Sequence, residues 1–371
     1  MKRLIRFFIV IASSFNLMSC AGKVETISNL KITHNIEFGG VYVITSLNEF
    51  LNKGYKLGDS INVTFSNGTK FENIPLSDSY CSKIGEPVFC FYPTYQYPAF
   101  SINCGEDLFE MYHLSEDDTL SVSLFKKDGY KDIHEAFSKK YSNNREDFSS
   151  DEVFANFRMV SQGNVKDKTL FRGASPVDNS NGRAETVNSM FRKYGIENVL
   201  DLSNNDTQLE NYYNDSKTNS TWKELYSNGH VCSLKISASF PSESYYPQMK
   251  KMTEFILSHE GNFYVHCAEG KDRTGFVCIL LEALVGNSVK ELEEDYMLSY
   301  KNYFNVTKET NPASYNAFLN LRFIAMINFI SQTSDGLNTT TDKLTQGAKT
   351  YLSKCGLTNE QIELLKNKLS N

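Results

Sequence analysis

The sequence predicts an α/β fold, with a parallel-rich central sheet flanked by helices and a smaller β-rich domain in front of it. Three observations carry this expectation. From about residue 183, short apolar runs alternate with helix-length amphipathic segments, the pattern of strand–helix–strand units. Between residues 31 and 145 the apolar runs are mostly of strand length, bounded by turn residues. A polar, charged stretch at 141–151 separates the two regions and reads as a linker. The length of 371 residues suits two domains, here 31–145 and 150–371.

The N-terminus reads as a targeting segment, outside the fold. Lys2, Arg3 and Arg6 make a positive start, and Leu4–Ala12 is largely apolar but too short to span a bilayer. Leu17-Met18-Ser19-Cys20 resembles a bacterial lipobox. The resemblance implies a signal peptide over 1–19, cleavage before Cys20, a lipid on the Cys20 sulfur, and a tether over 20–30. An ordinary secretion signal is the alternative. Both predict an exported protein of the bacterial cell envelope, membrane-anchored in the first case and secreted in the second.

In the β-rich region, Val41–Ile44, Ser60–Phe65 and Thr119–Phe125 alternate or run apolar at strand length. Asn67-Gly68 predicts a hairpin joining Ile61–Phe65 to Thr69–Ile74. Leu47–Leu51 suits a short helix. Ile84–Phe100 holds three prolines among aromatics and reads as an irregular packed loop. Its cluster Phe89, Phe91, Tyr92, Tyr95, Tyr97 and Phe100 reads as core or interdomain packing, with a ligand platform as the second reading. In the α/β region, helices are expected at Arg183–Tyr194 and Tyr246–Ser258, and at about 288–300, 314–332, 342–354 and 358–369. Strands are expected at Asn198–Leu202, Val231–Ile236 and Asn262–Val265.

Composition narrows the function. A net charge of −6 offers no nucleic-acid-binding surface. Eight cysteines in an exported chain allow disulfides, and Cys81 and Cys90 are near enough in sequence to pair. No Cys-x2-Cys or His-rich spacing suggests zinc, and no cofactor is expected. Oligomeric state is not legible.

His266-Cys267-Ala268-Glu269-Gly270-Lys271-Asp272-Arg273-Thr274-Gly275 carries the chemistry. It lies between the strand Asn262–Val265 and the apolar helix Arg273–Val285, so the loop ends at a helix N-terminus that favours an anion. A free thiol has a pKa of about 8.5, which a helix N-terminus and a nearby cation lower. Cys267 sits where both act and is the candidate nucleophile. Arg273 offers a planar fork of donors that matches two phosphate oxygens. Successive amides from Ala268 to Arg273, with Glu269, Gly270 and Lys271 between them, can line a cradle for the remaining oxygens. Thr274 is placed to donate to the sulfur.

These residues resemble the signature loop of the cysteine-dependent protein tyrosine phosphatase superfamily. The Gly-Lys-Asp-Arg-Thr-Gly form is similar to a bacterial tyrosine-phosphatase-like group. Thr169–Pro176, Gly195–Leu202, Asp295–Ser299 and Gly356–Thr358 extend the resemblance over about 150–371. It implies a tyrosine/dual-specificity-phosphatase-like fold and hydrolysis of phosphate monoesters, chiefly phosphotyrosine, through a phosphocysteine. The leaving oxygen needs a proton, a step worth about 10²- to 10⁴-fold. Tyrosine phosphatases take it from an Asp on a separate loop, but the equivalent stretch here, Ser237–Ser244, contains none. By resemblance to the Lys-Asp group Asp272 is the first candidate acid, Glu243 the second, and Asp206 with Glu210 the third. Lys271 is either a second substrate-binding cation, as in phosphoinositide phosphatases, or a solvated lysine. His266 either tunes the thiolate or plays a structural part, and Arg172 reads as a salt-bridge residue before a pocket residue. Two alternatives to a phosphotyrosine substrate stay open: a phosphoinositide or inositol phosphate, and a non-catalytic surface binding module.

Overall fold

A computed structural model describes residues 24–237 and 243–370. The expected signal segment and the lipidation candidate Cys20 lie outside the described residues. Among the described residues, seven strands close a barrel: β1 (Ile27–His34), β2 (Val41–Val43), β3 (Ser60–Phe65), β4 (Lys70–Ser77), β5 (Pro87–Cys90), β6 (Ala99–Ile102) and β7 (Thr119–Lys126). Around the barrel their order is β1-β2-β6-β5-β4-β3-β7, with β7 returning to β1. Closure leaves no open sheet edge. Alternating residues fill the interior, among them Val63, Leu76, Phe89, Phe100 and Leu120. Phe50, from the short helix Leu47–Asn52, packs on Phe89 with ring centroids 5.3 Å apart.

Two expectations change here. Ile84–Phe100 is not an irregular loop, because it contains β5 and the start of β6. Pro87 is tolerated because it opens its strand, where a missing N–H costs least. β1 begins at Ile27, inside the stretch read as a tether. The Asn67-Gly68 turn does join β3 to β4, with Ile61 opposite Ile74. Cys81 and Cys90 are both buried and unpaired, and all seven described cysteines are free thiols.

The second unit is built on a sheet of β8 (Arg158–Met159), β9 (Leu170–Gly173), β10 (Asn198–Asp201), β11 (Val231–Ser233) and β12 (Phe263–His266). Its order is β11-β10-β12-β9-β8, parallel throughout except for β8 on β9. Side chains alternate across it. Leu170, Leu200, Phe263 and Val265 face one apolar layer, with helices Tyr246–Ser258, Asp272–Leu284, Val289–Phe304 and Thr341–Lys354. Phe171, Val199 and Tyr264 face the other, with helices Ala184–Tyr194 and Ser220–Ser227. Burial on both faces explains why these strands read as plain apolar runs.

The segment Tyr141–Asp151, read as a linker, is packed rather than free: the Tyr141 ring packs at a tilt on Tyr303, centroids 4.6 Å apart. The helix Lys131–Phe137 that follows the barrel lies against the helix Pro312–Phe318, and Phe137 meets Phe318 at 5.2 Å. After Phe318 the chain makes a π-helical turn, Leu319–Phe323, before returning to α geometry at Ile324–Ser331.

Candidate active site

β12 is the middle strand, flanked on both sides by parallel neighbours, and Cys267 follows it directly. Ligands of such sheets gather beyond the carboxyl ends of the strands. The loop 267–271 then enters the helix Asp272–Leu284, buried along its length from Thr274 onward. Its first amides have no side-chain cap, an arrangement that can receive an oxyanion.

Gly270 fixes the path of the loop. Its φ is +67°, and a Cβ there would sit 2.1 Å from the Gly173 carbonyl oxygen. Only glycine fits such a conformation against so close a backbone. Gly275 has a packing role, since a Cβ would meet the Tyr296 ring at 2.4 Å.

The carbonyls of the loop are all held by donors. Asn156 Nδ2 reaches the Glu269 and Gly270 oxygens at 3.1 and 3.2 Å. Arg172 Nη2 donates to Gly270 at 3.0 Å and Lys271 at 3.3 Å, and the Tyr303 hydroxyl donates to Glu269 at 2.7 Å. The Ser175 amide donates to the Ala268 carbonyl at 3.1 Å. With the carbonyls tied into the protein, the loop presents its amides to the anion.

Behind these donors lies a buried ion network. Asp295 receives Arg158 Nε at 2.7 Å and Arg172 Nη1 at 2.5 Å. Burial alone would raise the Asp295 carboxyl, but Arg158 and Arg172 outweigh it and hold its pKa below the ordinary carboxylate range. Arg172 is therefore the salt-bridge residue its sequence context indicated, with the added task of gripping the loop. His266 is also fully buried, with Nδ1 3.3 Å from the Cys267 carbonyl and Nε2 3.4 Å from Asp201. Burial pushes its pKa below the usual imidazole value, against the opposing pull of the Asp201 carboxylate.

Cys267 is 4% exposed at the base of the loop. Arg273 Nη1 reaches the Leu202 and Ile236 carbonyls at 3.4 and 3.5 Å, long contacts that leave most of its donors unused. Arg273 and Asp272 line a cavity of about 550 Å³ together with Tyr245 and Phe276. Asp272 is half exposed and accepts from the Tyr300 hydroxyl at 3.2 Å. The thiol-to-threonine contact expected from the sequence is absent: the Thr274 hydroxyl is buried without a partner.

Lys271 is placed otherwise than as a free rim cation. Its ammonium pairs with Glu269 at 2.9 Å and Asp272 at 3.7 Å, above the rings of Tyr300, Tyr303 and Phe304. Burial would lower its pKa, but the Asp272 and Glu269 carboxylates outweigh it and the net shift is upward. Tyr141 also bonds Glu269, closing the cage. The other acid candidates stand apart from Arg273: Glu243 and Glu210 are exposed, and Asp206 is 84% exposed beside Lys251. None of the three lines the Arg273 cavity. Ala238–Ser242, within the loop without an Asp, lie outside the described residues. Among the described residues no group of three or more His, Cys, Asp or Glu side chains is placed to hold a metal ion.

Sequence reading missed Asn156, Arg158, Tyr141 and Tyr303. A lone Asn or Tyr carries no motif: Tyr141 and Asn156 meet the loop across more than 100 residues of chain and Tyr303 from the following helix, while Arg158 acts on it only through Asp295.

A sequence profile of the tyrosine phosphatase family matches residues 153–371, more than half of the chain, and the protein belongs to that family. It is a cysteine-based phosphatase. Among solved structures it is similar to the core catalytic domain of the PP-IP phosphatase SIW14 from S. cerevisiae, in complex with citrate. That match has 17% identity, covers 45% of this chain and 96% of the other, and has a TM-score of 0.28. No curated protein sequence matches the chain.

Proposed function

We propose that the protein is an exported, lipid-anchored phosphatase that removes phosphate from tyrosyl side chains. Cys267 attacks phosphorus, and the bond from phosphorus to the phenolic oxygen breaks. Asp272 gives its proton to that oxygen. Arg273 and the loop amides hold the three remaining oxygens. Water then attacks the phosphocysteine, Asp272 takes back a proton, and inorganic phosphate leaves as the thiolate is restored.

The observation that carries this reading is the joint placement of Arg273 and Asp272 in one cavity walled by Tyr245 and Phe276, beside an uncapped helix N-terminus. A phenyl ring suits such walls better than a polyol does. The withdrawal of Lys271 into its aromatic and acidic cage argues against a substrate that needs that extra cation.

A panel of phosphotyrosine peptides, phosphoserine peptides, phosphoinositides and inositol phosphates tests the reading. Phosphotyrosine peptides should show the highest kcat/KM, and Cys267→Ser should fall to background on all of them. Retained turnover in that variant, or preference for an inositol phosphate, would overturn it. The anchor is supported by Lys2, Arg3 and Arg6, the apolar run and the Leu17–Cys20 motif. Cys20→Ala should move the protein from the membrane fraction to the soluble fraction, and an unchanged distribution would reject lipidation.

A further inference from the structure

The aromatic cluster of the β-rich region divides in two. Phe89 and Phe100 are fully buried in the barrel. Tyr92 and Tyr95 instead line the same cavity as Arg273 and Asp272, and Tyr80 joins them. They form one surface: Tyr92 and Tyr95 lie 5.1 Å apart, and the Tyr80 and Tyr95 hydroxyls 3.4 Å apart. Tyr92 remains 40% exposed, a large ring left at the mouth rather than packed away. The cavity at Arg273 and Asp272, the end of the signature loop, thus has one wall from the phosphatase unit and one from the barrel.

A second cation completes it. Arg322 lines the cavity, with one Nη2–H on the Tyr80 carbonyl at 3.2 Å and its guanidinium 4.9 Å from the Phe137 ring centre. Neither Arg322 nor Arg273 has a carboxylate within 4.0 Å among the described residues. Two guanidinium groups without counter-ions in one aromatic-walled cavity favour a ligand with two anionic groups and a ring between or beside them.

The geometry points to the barrel as a substrate-selecting part of the active site: Tyr92 and Tyr95 pack on the phosphotyrosine segment, and Arg322 takes an acidic side chain next to it. This deepens the phosphotyrosine reading and rests on it. An acidic peptide segment is the occupant because the cavity continues from Arg273 to the exposed Tyr92, and its two guanidinium groups outnumber its one carboxylate, Asp272.

The test uses the full chain and three peptides of one sequence frame: phosphotyrosine with acidic neighbours, phosphotyrosine with neutral neighbours, and phosphoserine with neutral neighbours. Arg322→Gln should lower kcat/KM on the acidic peptide by roughly tenfold and on the neutral one by no more than about twofold, while Arg322→Lys keeps most of the preference. Tyr95→Ala should raise KM for both phosphotyrosine peptides by about 3- to 10-fold and leave the phosphoserine peptide unchanged, with Tyr95→Phe close to wild type. Equal losses on all three peptides, or no loss, would show the wall to be structural only and overturn the inference. Wild-type preference for phosphoserine or for an inositol phosphate would sink the phosphotyrosine reading and this one together. Wild-type preference for phosphotyrosine with unaffected variants would sink only the barrel's role.

Discussion

Asp272 has to act both as acid and as base in the proposed cycle. It is half exposed, with Lys271 at 3.7 Å and the Tyr300 hydroxyl at 3.2 Å. Asp272→Asn should therefore remove the basic limb of the kcat profile and lower kcat by about 10²- to 10⁴-fold on poor leaving groups, with less effect on an activated aryl phosphate. An unchanged basic limb at nearly full rate would move the role elsewhere, with Glu243 next in line. Cys267, Gly270 and Arg273 were legible from sequence because their roles are set within a few residues: a strand end, a left-handed turn and a helix start. Lys271 was not legible. Its neighbours Tyr300, Tyr303 and Phe304 come from a helix whose placement no local pattern reveals.

Among the elements, the signature loop depends on partners that hold its carbonyls from outside. Asn156, Arg172 and Tyr303 fix its carbonyls, and Asp295 fixes Arg172 with Arg158. Asp295→Asn leaves two buried guanidinium groups without their counter-charge, and this should cost about 3–5 kcal/mol of stability. The pH dependence has a definite sign. The Asp295 pKa is lower in the folded chain than the unfolded value of about 3.9. Its contribution is complete above that value and is lost as pH falls through the lower folded value. Thermal melts should show the wild type losing its advantage over Asp295→Asn as pH drops below about 4, and a gap constant from pH 7 to 3 would contradict this. The central strands and their helices were readable because periodicity is a local signal, as at Tyr246–Ser258. β5 and β6 were not, because prolines and aromatics obscure strands whose existence depends on barrel partners elsewhere in the sequence.

For the molecule as a whole, the barrel and the phosphatase unit share a seam as well as a cavity. Phe137 lies between Phe318 at 5.2 Å and Arg322 at 4.9 Å. That seam should couple the two units into one unfolding transition. Phe137→Ala removes a half-buried ring, about 2 kcal/mol, and calorimetry should then resolve two transitions where the wild type shows one. Two transitions in the wild type would mean the seam carries no coupling. The division into a β-rich and an α/β region could be read from the sequence. That the first walls the cavity at Arg273 and Asp272 could not, since it depends on how two separately patterned surfaces meet.

The π-helical turn at Leu319–Phe323 decides what that meeting contains. In an unbroken α-helix the core-facing residue one turn after Phe318 would be position 322. The extra residue slips the phase, so Phe323 takes the core position, followed by Met326, Ile327 and Ile330. Arg322 is thereby excused from the interior and delivered to the cavity.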